Sequence, residues 1–335
     1  MARIYHRDQP GAPEVTYGTN TSGPHHFESF KTILKASLIN GYDIIPAAGW
    51  ELIFESTNSL VLRTGTHSGY VCFQRDSSYP TVVTVWLAAT FAGVDAYGKI
   101  LGDGARSGLA ADSSDPQRIS LRAFTTYSVS CTWYVAADPA TFVFSLSGSR
   151  QTSEREATEG EGYPYEANYT LYCGEDSGGD MISIGGLNTS GTSSSTTSTE
   201  FSSSGFSLLK YPDTGLLVDT NRATVQTPGL VIPPSSAMFI AYREIPTGVI
   251  IPDVSLSQFS WICNGVVRKL RGLVIDPRLA FTYNSLLSQA LGGPALTTRT
   301  MNTSIDLGDG HEYMVARTYY YYAVSMLLTT NPEFW

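Results

Sequence analysis

Apolar residues first fall into register at HHFESFKTILKASL, where Phe27, Phe30, Leu34 and Leu38 recur at spacings of three and four. That spacing predicts one buried face of a helix. Pro24 suits the first helical turn, and Gly41 can take the left-handed conformation that closes one. In GWELIFES the period changes: Trp50, Leu52 and Phe54 alternate with Glu51, Ile53 and Glu55, the pattern of a strand with one mostly apolar face. Residues 39–56 are therefore read as a helix-to-strand corner, with Pro46 and Gly49 as its punctuation.

Strand patterns dominate from there. LVLR (60–63) and YVCFQ (70–74) continue a meander through short turns. The run TVVTVWLAA fits a buried strand or a short helix, and periodicity does not separate them. RISLRAF and SVSCTWYVAADPATFVFSLSG add further strands, with Val129, Cys131, Trp133 and Val135 on one face and ADPAT as a tight turn. After a charge-rich break at 149–168 come TLYCGE, MISIGG, GFSLLKY, TGLLVD, GLVIPP, AMFIAYREI and QFSWICNGVVRKLRGLVI. GHEYMVART and YYYYAVSMLLTTNPEFW end the chain, and NSLLSQAL (284–291) alone among the later segments has a helical period. The expected fold is mainly β (α+β): antiparallel sheets with one N-terminal helix, in a two-part β-rich architecture. The parts are an N-terminal arm (1–23), a helix-plus-antiparallel-β domain (24–148) and a β-rich domain (169–335) with a Ser/Thr-rich loop at 187–205. The arm has few apolar residues, and Ile4 with Tyr5 is its anchor.

Composition narrows the function classes. Only 15% of the 335 residues are charged while 42% are hydrophobic, and the 20 tyrosines come with abundant Ser, Thr and Gly, the makeup of a β protein whose surfaces face other proteins. A net charge of −9 argues against a nucleic-acid partner, which needs clustered Lys and Arg. VVRKLRG (266–272), the one dense basic cluster, reads as a polar strand edge. The start, MARIYHRDQPG, lacks the apolar core of a secretory signal, and the longest apolar run, 81–93, is too short to span a bilayer. A soluble, cytoplasmically made chain without membrane insertion is expected. Cys72, Cys131, Cys173 and Cys263 are widely spaced and read as reduced core thiols.

No motif carries a reaction. His311-Glu312 lacks the second His that a zinc HExxH helix needs, and no GxSxG or phosphate-binding glycine loop occurs. Glu154, Glu156, Glu159 and Glu161 cluster as paired carboxylates could, but small polar neighbours offer nothing to separate their pKa values; a solvated loop is the better account. Asp103 and Asp309, each in a GDG, lack the alternating ligands of a calcium loop and read as turns. The Tyr run at 319–322 fits core or subunit contact better than sugar stacking. No catalytic, metal or cofactor-binding residue is expected.

Four segments, FKTILKASLINGYDIIPAAGWELIFES, TWYVAADPATFVFSLSG, LLKYPDTGLLVD and VVRKLRGLVIDPR, resemble a family of tailed-bacteriophage virion structural proteins. The shared pattern is a helix ending in Leu-x-x-Gly-Tyr before a Gly-Trp strand, a later Trp-x-x-x-Ala-Asp strand, and a basic Arg-Gly segment in the second half. The sequence departs from it at Ser37, where relatives often have Cys, and at Asn40 and Asp43, where Asp and Gly are usual. The resemblance implies a non-enzymatic virion component at the tail tip or baseplate, with other virion proteins and copies of itself as partners. A receptor- or glycan-binding tail protein and a capsid decoration or minor capsid protein are the competing readings. Ile4, Tyr5, Phe334 and Trp335 are the candidate subunit-contact residues, since large apolar groups at chain ends gain by docking.

Overall fold

The computed structural model describes residues 1–15, 25–108, 116–121, 128–150, 169–185, 206–218, 224–226, 256–275, 304–305, 307–316 and 326–335. The carboxylates at 154–161, the Ser/Thr-rich 187–205, NSLLSQAL and the Tyr run at 319–322 lie outside them.

In chain order the strands are β1 (Arg3–His6), β2 (Glu51–Glu55), β3 (Ser59–Arg63), β4 (Tyr70–Arg75), β5 (Val82–Ala88), β6 (Gly93–Val94) and β7 (Ile100–Leu101). They continue with β8 (Arg118–Ser120), β9 (Ser128–Ala137), β10 (Thr141–Arg150), β11 (Tyr169–Glu175), β12 (Met181–Ile184), β13 (Phe206–Leu208) and β14 (Thr224–Gln226). The last are β15 (Ser257–Cys263), β16 (Val266–Ile275), β17 (Ser304–Ile305), β18 (Tyr313–Ala316) and β19 (Met326–Thr329). Helix α1 spans His25–Leu34 and runs on as a π-helical turn, Lys35–Asn40. The fold is mostly β, with antiparallel pairing throughout. The sheets are β1-β9-β10-β11-β12-β13, β14-β15-β16-β19-β18-β17, β2-β3-β4-β5-β8 and the small pair β6-β7.

The sheet that begins with β1 is the middle layer, because alternate residues of its strands enter opposite cores. Trp133, Val135, Phe142, Phe144, Leu171 and Cys173 join the helix and the five-stranded sheet in one core. Tyr134, Ala136, Val143, Tyr172, Ile182 and Ile184 join Phe259, Trp261, Leu273 and Leu328 of the other six-stranded sheet in a second. In the first core Phe30 meets Phe73 and Phe144 edge-on, at 5.1 and 5.2 Å between ring centroids. Such pairs add about 0.5–1.5 kcal/mol beyond area burial. A third, smaller cluster, Val61, Cys72, Trp86, Ala88 and Ile100, lies on the outer face of the five-stranded sheet under the 89–106 segment.

The expected helix face is the buried one, with Phe27, Phe30, Leu34 and Leu38 all at 0% exposure. The chain leaves the helix through a wider turn because two of its last carbonyls are taken from outside. Ser37 accepts from the Ala48 N–H, and Leu38 accepts from those of Gly49 and Trp50, which answers the unmet carbonyls of a helix end. Gly41 has the expected positive φ of 70°, but with ψ at 177° it is extended rather than left-handed helical. A Cβ there would stand 2.6 Å from the Ile45 carbonyl oxygen. TVVTVWLAA resolves as strand β5, buried from Val83 to Ala88. In ADPAT the Asp138 carboxylate accepts from the backbone N–H groups of Ala140 and Thr141.

Three expectations are corrected. The alternation through β2 breaks at a bulge between Leu52 and Phe54. One extra residue on one strand moves the following side chains to the other face, so Leu52 is exposed while Ile53 and Phe54 pack beside Trp86. The arm is a strand of the chain's own middle sheet, with Ile4 opposite Ala136 and Tyr5 opposite Val135. Ile4 lies in the second core and Tyr5 in the first, so neither is a surface contact. Finally, the middle sheet takes strands from both sides of 149–168, since β10 pairs with β11.

Tyr5 is fully buried and donates from its hydroxyl to the Pro46 carbonyl at 2.8 Å. Tyr5→Ala should therefore cost the isolated chain about 3–5 kcal/mol in equilibrium urea unfolding. A residue serving only contacts between subunits would leave that midpoint unchanged.

Candidate functional site

The most densely connected polar region is a seam joining the β9–β10 and β11–β12 turns of the middle sheet to β15, β16 and the end of the chain. It begins with the sequence EDSGGD (175–180). The Asp176 carboxylate folds the turn on itself, accepting from the backbone N–H groups of Gly178 (2.8 Å) and Asp180 (3.0 Å). Its second oxygen accepts from the Trp261 indole N–H of β15 at 2.9 Å. Ser177 then bonds Lys269 twice through the backbone: its N–H donates to the Lys269 carbonyl, and its hydroxyl accepts from the Lys269 N–H.

Two ion pairs flank these bonds. Arg268 meets Asp180 at 3.3 Å and Arg271 meets Asp138 at 2.6 Å, with the second pair mostly buried. Arg271 also donates to the Thr141 hydroxyl, and its backbone N–H to the Tyr172 hydroxyl. Thr141 and Tyr172 both donate to the Glu175 carbonyl, at 2.6 and 2.7 Å. The segment VVRKLRG, expected as a polar strand edge, is thus an inner strand whose two arginines are held by carboxylates of the middle-sheet turns. Sequence reading singled out its charge and the Asp-Pro turn, but nothing local pairs them across more than a hundred residues.

The chain's last residues close the seam. Asn331 caps a short 3-10 turn, Pro332–Phe334, by accepting from the Glu333 N–H. Its side chain also donates to Asp309 and to the Tyr313 hydroxyl, and Tyr313 donates to Asp309 at 2.6 Å. Asp309 of the second GDG accordingly works as turn chemistry. Trp335 donates its indole N–H to the Thr329 carbonyl at 2.7 Å, lies 5.9 Å from the Arg271 guanidinium and covers Gly272. The Phe334 carbonyl accepts from the Gln258 amide. Of the four residues expected at a subunit contact, Trp335 and Phe334 are thus brought together on the chain's own β15 and β16. Ile4 and Tyr5 lie apart from them, in the cores.

Chemically this arrangement fixes two segments against each other, since the Asp138, Asp176, Asp180, Arg268 and Arg271 side chains are all held by protein partners. Burial pushes the Asp176 carboxyl up to about 6, against the pull of its three N–H donors. Cys72, Cys173 and Cys263 are free and buried, and burial pushes the Cys72 thiol up to about 12. Among the described residues, no group of three or more His, Cys, Asp or Glu is placed to hold a metal ion, and no helix is long and apolar enough to cross a membrane. Compared with models of known families, with curated proteins and with solved structures, the chain matches none.

Two outcomes follow from the seam. A Cβ on Gly272 would collide with the Trp335 ring, at a φ of +69° that already disfavours one. Gly272→Ala should expel the ring and cost about 2–4 kcal/mol, and adding Trp335→Ala should then cost little more; thermal unfolding of the single and double variants reads this. For Asp176, the folded chain holds a proton that the unfolded chain has released between pH ~4 and ~6. The group therefore adds stability as pH falls through 6, about 2–3 kcal/mol in full below pH 4. Asp176→Asn should lack that increment, so the stability gap between wild type and variant should move in favour of wild type from pH 7 to pH 4.5.

Proposed function

We propose that the chain is a non-enzymatic structural subunit of a tailed-phage virion, placed at the tail tip or baseplate. It is made in the bacterial cytoplasm and works through contacts with other virion proteins and copies of itself. The observation that carries this reading is the resemblance of its four segments to virion structural proteins. These segments fall on the framework of the fold: the α1–β2 corner, the β9–β10 hairpin at the centre of the stack, the turn within 208–218 beyond β13 and the seam strand β16. A resemblance concentrated on framework residues is what shared architecture leaves when surfaces diverge.

The surface agrees with such a role. Leu216, Leu217 and Val267 stand 66%, 41% and 56% exposed. Leu216 and Leu217 lie on the turn after β13 and Val267 near the start of β16, and the two segments are tied where the Asn264 amide donates to Asp213 at 3.3 Å. Aliphatic side chains grouped on a monomer surface mark contacts with other proteins.

Mass spectrometry of purified particles should find the protein at several copies each, and detection in lysate alone would refute the role. Leu216→Asp should leave unfolding of the free chain within about 0.5 kcal/mol and reduce incorporation into particles. Unchanged incorporation would move the contact elsewhere on the surface.

A further inference from the structure

One end of the five-stranded sheet has a construction that the seam and the framework do not explain. Three turns meet there: 56–58 between β2 and β3, 76–80 between β4 and β5, and 95–98 between β6 and β7. The second and third share a design. Asp76 accepts from the backbone N–H groups of Ser78 and Tyr79, at 2.8 and 3.0 Å. Asp95 accepts from those of Tyr97 and Lys99, both at 2.9 Å. Each carboxylate is occupied by the backbone of its own turn, and each turn presents a tyrosine to solvent, Tyr79 at 64% exposure and Tyr97 at 75%.

The turns are also tied to one another. The Gln74 amide donates to the Tyr97 carbonyl at 3.0 Å and accepts from the Trp86 indole. The Ser59 hydroxyl donates to the Gly98 carbonyl at 2.8 Å, and the Arg75 N–H to the Asn58 carbonyl at 2.9 Å. Gln74, which holds the 95–98 turn, lies near the end of β4, two residues before the Asp76 that opens the 76–80 turn, so the two turns are anchored within roughly 7 Å along one strand. The aromatic groups are held in advance on stitched backbone, which lowers the ordering cost of binding.

We infer that this end is a binding surface for a neutral saccharide, with Tyr79 and Tyr97 as the ring-stacking groups. The chemistry selects the ligand. Besides the tyrosines, the exposed positions of the three turns are Thr57, Ser77, Ser78 and Ala96, which bring hydroxyl groups and no charge. The nearest cations are placed otherwise. Lys99 lies over the Trp86 ring at 4.3 Å, Arg75 follows Gln74 on β4 and so starts from the opposite face, and Arg118 is two strands away, about 10 Å, at the margin. Aromatic faces with hydroxyl groups between them match a pyranose, which is apolar on its ring face and hydroxylated on its edge. Two tyrosines on short turns are too small to form the ~1,000 Å² contact of a stable protein partner. Among the described residues, an anionic polymer would find no cluster of cations at this end. The inference holds wherever in a particle the protein sits.

The test uses the full chain in affinity electrophoresis through gels containing dextran, mannan or galactan, with heparin and polygalacturonate as charged controls. At least one neutral polymer should retard the wild type, and the charged ones should not. Tyr79→Ala with Tyr97→Ala should weaken that retardation about tenfold, near 1.4 kcal/mol, with the melting temperature unchanged because both side chains are exposed. A wild type retarded by none of the neutral polymers overturns the inference, as does a double variant retarded as strongly as wild type. A double variant that instead loses binding to another purified virion protein would make this end a protein contact and overturn it too. Absence of the protein from particles would remove the proposed virion role and leave the electrophoresis result standing.

Discussion

The structure depends on one constraint: the middle sheet is buried on both faces. Trp133 and Tyr134, Phe142 and Val143, Leu171 and Tyr172 are neighbours in sequence, yet they enter different cores. A sheet with one wet face tolerates polar residues at every second position, whereas in Trp133–Ala137 and Phe142–Phe144 of this one only Trp133 and Tyr134 carry a polar side-chain atom, and all are buried. Several of its buried polar residues are matched to one another. Ser145 faces Thr170 at 3.3 Å, and Ser183 and Ser207 both bond Gln117 beside β8. An unmatched group there would cost about 1–3 kcal/mol. A slip of one residue would exchange two differently shaped sets of side chains between cores, so the register is strongly specified.

That constraint also settles the chain's topology. Because both faces need cover, a layer from the first half and a layer from the second are each required, and neither half closes a core alone. The arm is drawn in for the same reason. As β1 it sends Ile4 into one core and Tyr5 into the other. Gln9, which donates to the Ile4 carbonyl and accepts from the Tyr42 hydroxyl, binds the arm to the helix-to-strand corner. The polar seam then fixes the orientation of the outer layer, which hydrophobic burial alone would leave free to slide.

What was legible in the sequence was what local physics decides. The helix face at Phe27, Phe30, Leu34 and Leu38, the Asp-Pro hairpin turn and the β character of most segments are set by residues within a few positions of each other. What was hidden depends on partners distant in sequence. Strand β2 is bulged at Ile53 because its pairing with β3 resumes one residue out of step. The arm reads as a tail because the Tyr5 partners are Pro46 and Val135. The cations of β16 read as a solvated edge because Asp138 and Asp180 lie far upstream. Trp335, expected to dock against a subunit, lies on the chain's own β16, at a place set by Gly272, whose missing side chain leaves room for the indole. A lone glycine inside a strand pattern marks close approach, and it was the one available signal.

The stack finally limits where any activity can reside. Two layers cover the faces of the middle sheet, and the 89–106 segment covers Val61, Cys72 and Trp86 on the outer face of the five-stranded sheet. The seam draws its charged groups into contacts within the chain. Among the described residues, surface for recognition therefore includes turns at the ends of sheets, where backbone is held by Asp carboxylates while side chains stay in water. Rigid layers with recognition on their connecting turns form a common division of labour in β proteins. Here it follows from the first constraint, since strands buried on both faces have no side chains left to offer a partner.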